Sequence, residues 1–271
     1  MPADALRGGP VRRGWFRLVK WYADCVTADG VAFVGYAARA RLGPLVIPYQ
    51  SILVSRPDAP PVARLTLRPG PGPRIEDGRV SWRAPRLGVD ATWTATAPPL
   101  HRVLYEDARC LVDWRCHVPA AHSSALFDGA APLVGDGYVE ELVVAGDPRR
   151  VPIRELRWGR FSGDGQHLTW IFWQGQRPLA LVFDGREERT DGRASEDAVS
   201  FAGGRLSYGA SRTLRTGRIG RTFLAAHPLV ARLLPRALDL HEEKWVSRAR
   251  LEGPGARVAT GWAIHEVVRW P

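Results

Sequence analysis

Strand-length apolar or alternating runs, closed by Gly, Pro and Asp, recur along almost the whole chain, with no regular helical crossover between them. Val31 to Tyr36 follows an Asp29-Gly30 turn signal and reads as a buried strand, and Pro44 to Val54 holds another apolar run. Arg79 to Arg83 and Ala91 to Ala95 alternate with period two and place Trp82 and Trp93 on one face each. Further strands are expected over Cys110 to His117, Tyr138 to Val144, His167 to Trp173, Leu179 to Phe183, Gly203 to Ser207 and Thr260 to Trp270. Strand following strand argues against a parallel α/β sheet and predicts an all-β, mainly antiparallel protein of barrels or sandwiches. At 271 residues the chain fits one large β domain or two of ordinary size. Small residues dominate from Pro119 to Gly135, and a division into units 1–125 and 126–271 is drawn there. The Pro/Gly-rich stretch Arg68 to Pro73 reads as a loop.

One segment departs from this pattern. Thr222 to Pro235 reads as a short helix, extending toward residue 240, with Pro228 suited to a first turn. Its arginine-flanked apolar residues suit either a cover over a barrel mouth or an interfacial element on a membrane. No apolar run reaches the length of a transmembrane helix. Met1 to Gly14 has arginines without an apolar region behind them, so a cytoplasmic protein is expected rather than a secreted one.

The net charge of +10 carries little about partners, because all but two of the 38 basic residues are arginine, scattered without runs; lysine occurs only at Lys20 and Lys244. No nucleic-acid-binding motif accompanies them, and none is expected as a partner. Weak attraction to the anionic inner face of a membrane is compatible with the same charge. Cys25, Cys110 and Cys116 have no disulfide or zinc-ribbon spacing and read as buried free thiols.

Five short elements carry a resemblance. They are Trp21-Tyr22-Ala23-Asp24 leading through Asp29-Gly30 into Ala32 to Gly35; Trp114 to Pro119; Gly135 to Glu140; Leu156 to Arg160; and Ile264-His265-Glu266. In order and approximate spacing they resemble the carotenoid 1,2-hydratase (hydroxyneurosporene synthase) group of lipocalin-like proteins. The resemblance spans most of the chain and implies two packed lipocalin-like β units with an apolar ligand cavity. It implies an enzyme of hydratase or cyclase type, acting on an isoprenoid or polyene, and parts of the layout are shared with tocopherol cyclases and Diels–Alder cyclases. The chain departs from the hydratases in having Glu140 where they have Asp, and Val112 where they have His. Hydration, cyclisation, isomerisation and binding without catalysis therefore all stay open.

Hydrating or cyclising an alkene needs a proton donor in a cavity that admits little water, and burial in apolar surroundings keeps a carboxyl protonated. Tyr138 and Glu140, two residues apart on a strand, share a face, so the phenol can orient the acid or relay a proton. They are the first candidates, with a structural strand-end pair as the alternative; Glu141 is expected on the opposite, solvated side. Asp24 shares a face with Tyr22 and is either a second acid or a structural group. His265 and Glu266 alternate, so only one faces inward, and His265 is the catalytic candidate of the two. Among the eleven tryptophans, Trp21, Trp114, Trp158, Trp170 and Trp173, with His117, are candidates for lining a lipophilic substrate site or for filling the core. His117, His122, Glu140 and His265 lack a metal-ligand spacing, and no metal or cofactor is expected.

Overall fold

The computed structural model describes residues 15–218, 240–255 and 257–270; the expected helical segment lies outside them. The described residues form nineteen strands in two antiparallel sheets. The first sheet contains β1 (Phe16–Thr27), β2 (Ala32–Leu42), β3 (Leu45–Arg56), β4 (Ala59–Thr66), β5 (Arg74–Glu76), β6 (Arg79–Ala84), β7 (Val89–Ala95), β8 (Leu100–Glu106), β9 (Cys110–Phe127) and β10 (Leu133–Gly146). Their order is β4-β3-β2-β1-β10-β9-β7-β6-β5, with β8 also on β9. The second contains β11 (Ile153–Gly163), β12 (Gln166–Gly175), β13 (Leu179–Asp184), β14 (Glu187–Arg189), β15 (Arg193–Ala194), β16 (Ala198–Phe201), β17 (Gly204–Arg218), β18 (His241–Gly253) and β19 (Arg257–Arg269), in the order β14-β13-β12-β11-β19-β18-β17-β16-β15. These are two lipocalin-like units, and the chain passes between them over residues 147–152. The stretch from Pro119 to Gly135 forms the β9–β10 hairpin, and β10 pairs within the first sheet.

Local chemistry accounts for the antiparallel order. Asp77-Gly78, Asp128-Gly129 and Asp164-Gly165 have positive φ at both residues, the geometry of tight hairpin turns that match strand twist. The first sheet curls until Arg64 on β4 reaches the Leu87 carbonyl, at 3.4 Å, and pairs with Asp128, at 2.5 Å. The Pro/Gly loop lies over the mouth of this unit, its Pro71 carbonyl accepting from Gln50 (2.7 Å) and Trp82 (3.1 Å).

Period-two alternation sorts side chains into three cores. The inner face of the first unit buries Phe33, Trp82, Trp93 and Val139. The inner face of the second buries Phe161, Trp170, Phe172 and Leu251. The outer faces of the two sheets pack against each other along a seam filled by Tyr22, Tyr36, Trp114, Tyr138, Trp158, Phe183 and Ile264. β18 is not among the strands expected from the sequence. The Lys244 and Glu242 positions on it face the seam and are buried.

Candidate functional site

The seam gathers most of the ionisable candidates. Antiparallel pairing of β1 with β10 sets Tyr22 opposite Glu140 and Asp24 opposite Tyr138. On each strand the tyrosine donates to the acid two residues later: Tyr22 to Asp24 at 2.8 Å, and Tyr138 to Glu140 at 2.8 Å. Gly137 makes room for this arrangement. A side chain there would collide with Trp93, whose indole N–H donates to the Asp24 carbonyl at 2.6 Å.

The two acids have different partners. Asp24 is wholly buried and forms a two-pronged ion pair with buried Arg160 on β11, across the seam. Burial raises the Asp24 pKa, and the charge and hydrogen bonds of Arg160 oppose that rise. Glu140 is 6% exposed and receives two neutral donors on Oε2, the Tyr138 phenol and the Trp114 indole N–H at 2.5 Å. It has no ion pair and no partner on Oε1 among the described residues. Burial, with Cys116 and Glu140 adjacent, pushes the Tyr138 phenol well above its ordinary range and keeps it a donor. Trp158 packs against Tyr22 and Tyr138 at ring distances of 4.9 and 5.5 Å, and Trp114 stacks on Phe183 of the second unit at 5.4 Å. Two buried donors of β11 facing the seam, Trp158 Nε1 and Arg160 Nη1, lack hydrogen-bond partners among the described residues.

Sequence reasoning missed the second polar cluster of the seam. Lys244 of β18 lies among the rings of Tyr22 (4.6 Å), Tyr36 (5.5 Å) and Trp158 (5.3 Å) and pairs with Glu266. Glu242 lies 3.7 Å from Lys244 and 2.7 Å from Arg215, which also donates to Tyr36 at 2.9 Å. Burial alone would lower the Lys244 pKa; Glu266, Tyr36 and Glu242 outweigh it, and the ammonium stays charged. Burial raises Glu242, but Arg215 and Lys244 outweigh it and hold that carboxyl down to about 2. The signal that existed was the rarity of lysine in an arginine-rich chain.

The remaining candidates lie apart. Glu266 reaches the seam through its ion pair with Lys244, and both His265 and Glu266 line a cleft of about 310 Å³ in the second unit. Trp158 and Trp170 line the same cleft with Tyr208 and Trp245. Gly159 leaves space for Trp170, whose ring would meet a Cβ there at 2.2 Å. Trp21 stacks on His117 at 4.9 Å beside the first unit's inner core, and Trp173 donates to the Arg177 carbonyl at 2.5 Å. The candidate tryptophans therefore serve several separate sites rather than one wall. Glu141 is not solvated as expected, since its half-hidden carboxylate lies within 3.7 Å of Arg115 and 3.6 Å of His117. His117, Glu140 and His265 occupy different sites and do not converge. The three cysteines are buried and free, and burial pushes Cys25 and Cys110 up to about 11. Two larger cavities hold none of the candidate residues. One, of about 870 Å³, lies under the Pro/Gly loop; the other, of about 570 Å³, lies by residues 149–154. No described helix is long and apolar enough to cross a membrane.

No protein-family model matches the chain, and no curated protein matches it in sequence. Solved structures do match in shape. CghA, both alone and with Sch210972, superposes with a TM-score of 0.56 at 12% identity, covering 93% of this chain and 88% of CghA. A protein described as AttH, from Nitrosomonas europaea, superposes with a TM-score of 0.52 at 12% identity, covering 100% of this chain and 98% of its own. At this identity the likeness concerns architecture, and the chain shares with these proteins a lipocalin-like fold.

Proposed function

We propose that this chain is an enzyme of hydratase or cyclase type that protonates a double bond of a lipophilic isoprenoid or polyene, with Glu140 as the acid. The observation that carries this reading is the Glu140 carboxyl, buried without a cation and held through Oε2 by the Tyr138 phenol and the Trp114 indole. In such a mechanism the proton leaves the carboxyl for the alkene, and aromatic faces stabilise the cation that forms. Trp158 and Tyr22 supply such faces beside the pair. The unpartnered Trp158 and Arg160 donors suit an oxygen of water or substrate. The resemblance to carotenoid 1,2-hydratases supports the chemistry, and the structure of CghA with Sch210972 supports a fold that holds a ligand. Contact with a membrane that stores the substrate is compatible with the positive charge.

None of the three cavities described above is lined by Glu140. Cavities away from Glu140 favour a second reading, a carrier of a lipophilic molecule that keeps the fold without the reaction. Comparing lipid extracts of cells producing the wild-type chain and Glu140→Gln separates the two. The enzyme reading expects one hydrated or cyclised product to vanish in the variant. An unchanged profile with a normally folded variant supports the carrier.

A further inference from the structure

The second unit carries a cleft that none of Asp24, Tyr138 and Glu140 lines, with Trp158 bordering both it and the seam. Trp170, Tyr208, Trp245 and His265 bring rings to its lining, and Arg157, Glu243 and Arg269 bring charges. The imidazole stacks on Tyr208 at 4.1 Å with the planes 7° apart, and on Trp245 at 5.3 Å. Two serines lead away from it: His265 Nε2 meets Ser247 Oγ at 2.8 Å, and Ser247 Oγ meets Ser211 Oγ at 2.7 Å.

The far end of this chain fixes the direction of every hydrogen bond in it. Ser211 donates to the Gly209 carbonyl at 3.2 Å, and a carbonyl only accepts. Ser211 Oγ therefore accepts from the Ser247 hydroxyl, and Ser247 Oγ accepts from His265. The ring proton is thereby assigned to Nε2, which leaves the Nδ1 lone pair as an acceptor. Nδ1 has no partner among the described residues, and it is not among the sealed polar atoms. Burial and the nearby Lys244 charge push the His265 pKa down to about 4, so the ring is neutral at ordinary pH.

We infer that this cleft is a binding site for a flat aromatic small molecule that brings its own hydrogen-bond donor, a phenol in the simplest case, to the acceptor nitrogen of His265. Two features select that class. Aromatic faces favour a flat aromatic ring, and a fixed acceptor favours a hydroxyl over an ether or a carbonyl. The volume, about 310 Å³, suits a molecule of two or three fused rings or less.

Calorimetric titration of the wild-type chain with 2-naphthol and 2-methoxynaphthalene tests this directly, since the two rings differ in the donor. The expected result is saturable binding of both, with 2-naphthol tighter by about tenfold, the size of one added hydrogen bond. His265→Phe keeps an aromatic ring in place and is expected to bind both compounds equally. Ser247→Ala releases the tautomer and is expected to shrink the preference while leaving methoxynaphthalene binding unchanged. Equal affinity in the wild type, no saturable heat with either ring, or a preference that survives His265→Phe overturns the inference. The readout is binding alone, so it stands or falls independently of the chemistry at Glu140.

Discussion

Asp24 and Glu140 lie on adjacent antiparallel strands, each two residues beyond a tyrosine that donates to it, yet only Asp24 meets a guanidinium. Similar carboxyls in one seam are thereby given different tasks. Asp24 joins the two units through Arg160, and Glu140 is left with neutral partners. Such a division, with environment separating two carboxyls, is how one site assigns an acid and a structural charge.

The structural half of that division is measurable. Arg160→Met leaves the Asp24 charge buried without its partner, and the expected loss is about 3–5 kcal/mol of unfolding free energy. Adding Asp24→Asn to that variant removes the stranded charge and is expected to restore part of the loss. Urea unfolding of the wild type, both single variants and the double variant gives the coupling. Additive losses would show that the two groups do not act as a pair.

Lys244 supplies a second test of the seam. Its ammonium fits among three rings within 5.5 Å and pairs with Glu266, a space a planar guanidinium does not fill in the same way. Lys244→Arg is expected to lose at least about 1 kcal/mol despite keeping the charge, and Lys244→Met about 3–5 kcal/mol, because buried Glu242 and Glu266 then lose the ammonium they share. Denaturant midpoints at constant slope read both. An arginine variant as stable as the wild type would contradict the cage.

The pairs within one strand were readable from the sequence, because period two puts Tyr138 with Glu140, and Tyr22 with Asp24, whatever the tertiary structure. Trp82 and Trp93 were readable as sharing one face of their strands for the same reason, and the structure buries that face. Which strand faces meet was not readable. The Asp24–Arg160 contact joins residues 136 apart, and no local rule reaches that far. β18 was hidden because alternating charges look alike whether they face water or, as Glu242 and Lys244 do, a second sheet. Trp158, Trp170 and Trp173 are close in sequence, but only Trp158 and Trp170 share a cleft, while Trp173 donates to the Arg177 carbonyl.

His265 makes stability depend on pH in a defined window. Its folded pKa, about 4, lies below the unfolded value near 6.5, so the unfolded chain binds a proton that the native chain refuses. The contribution of the neutral ring is complete above about pH 6.5 and falls as pH drops toward 4, by on the order of 3 kcal/mol. Urea unfolding at pH 7 and pH 4.5 is expected to show a smaller drop for His265→Phe than for the wild type. Equal drops would place the acid sensitivity in other groups.

The most direct test of the seam acid follows a proton. Once extracts of wild-type and Glu140→Gln cells reveal the substrate, the purified chain is supplied with it in heavy water and the product examined by mass spectrometry and NMR. Protonation by Glu140 predicts one carbon-bound deuterium in the wild-type product and no product from the Gln variant. A product without carbon-bound deuterium, or one formed at the wild-type rate by Glu140→Gln, would contradict it.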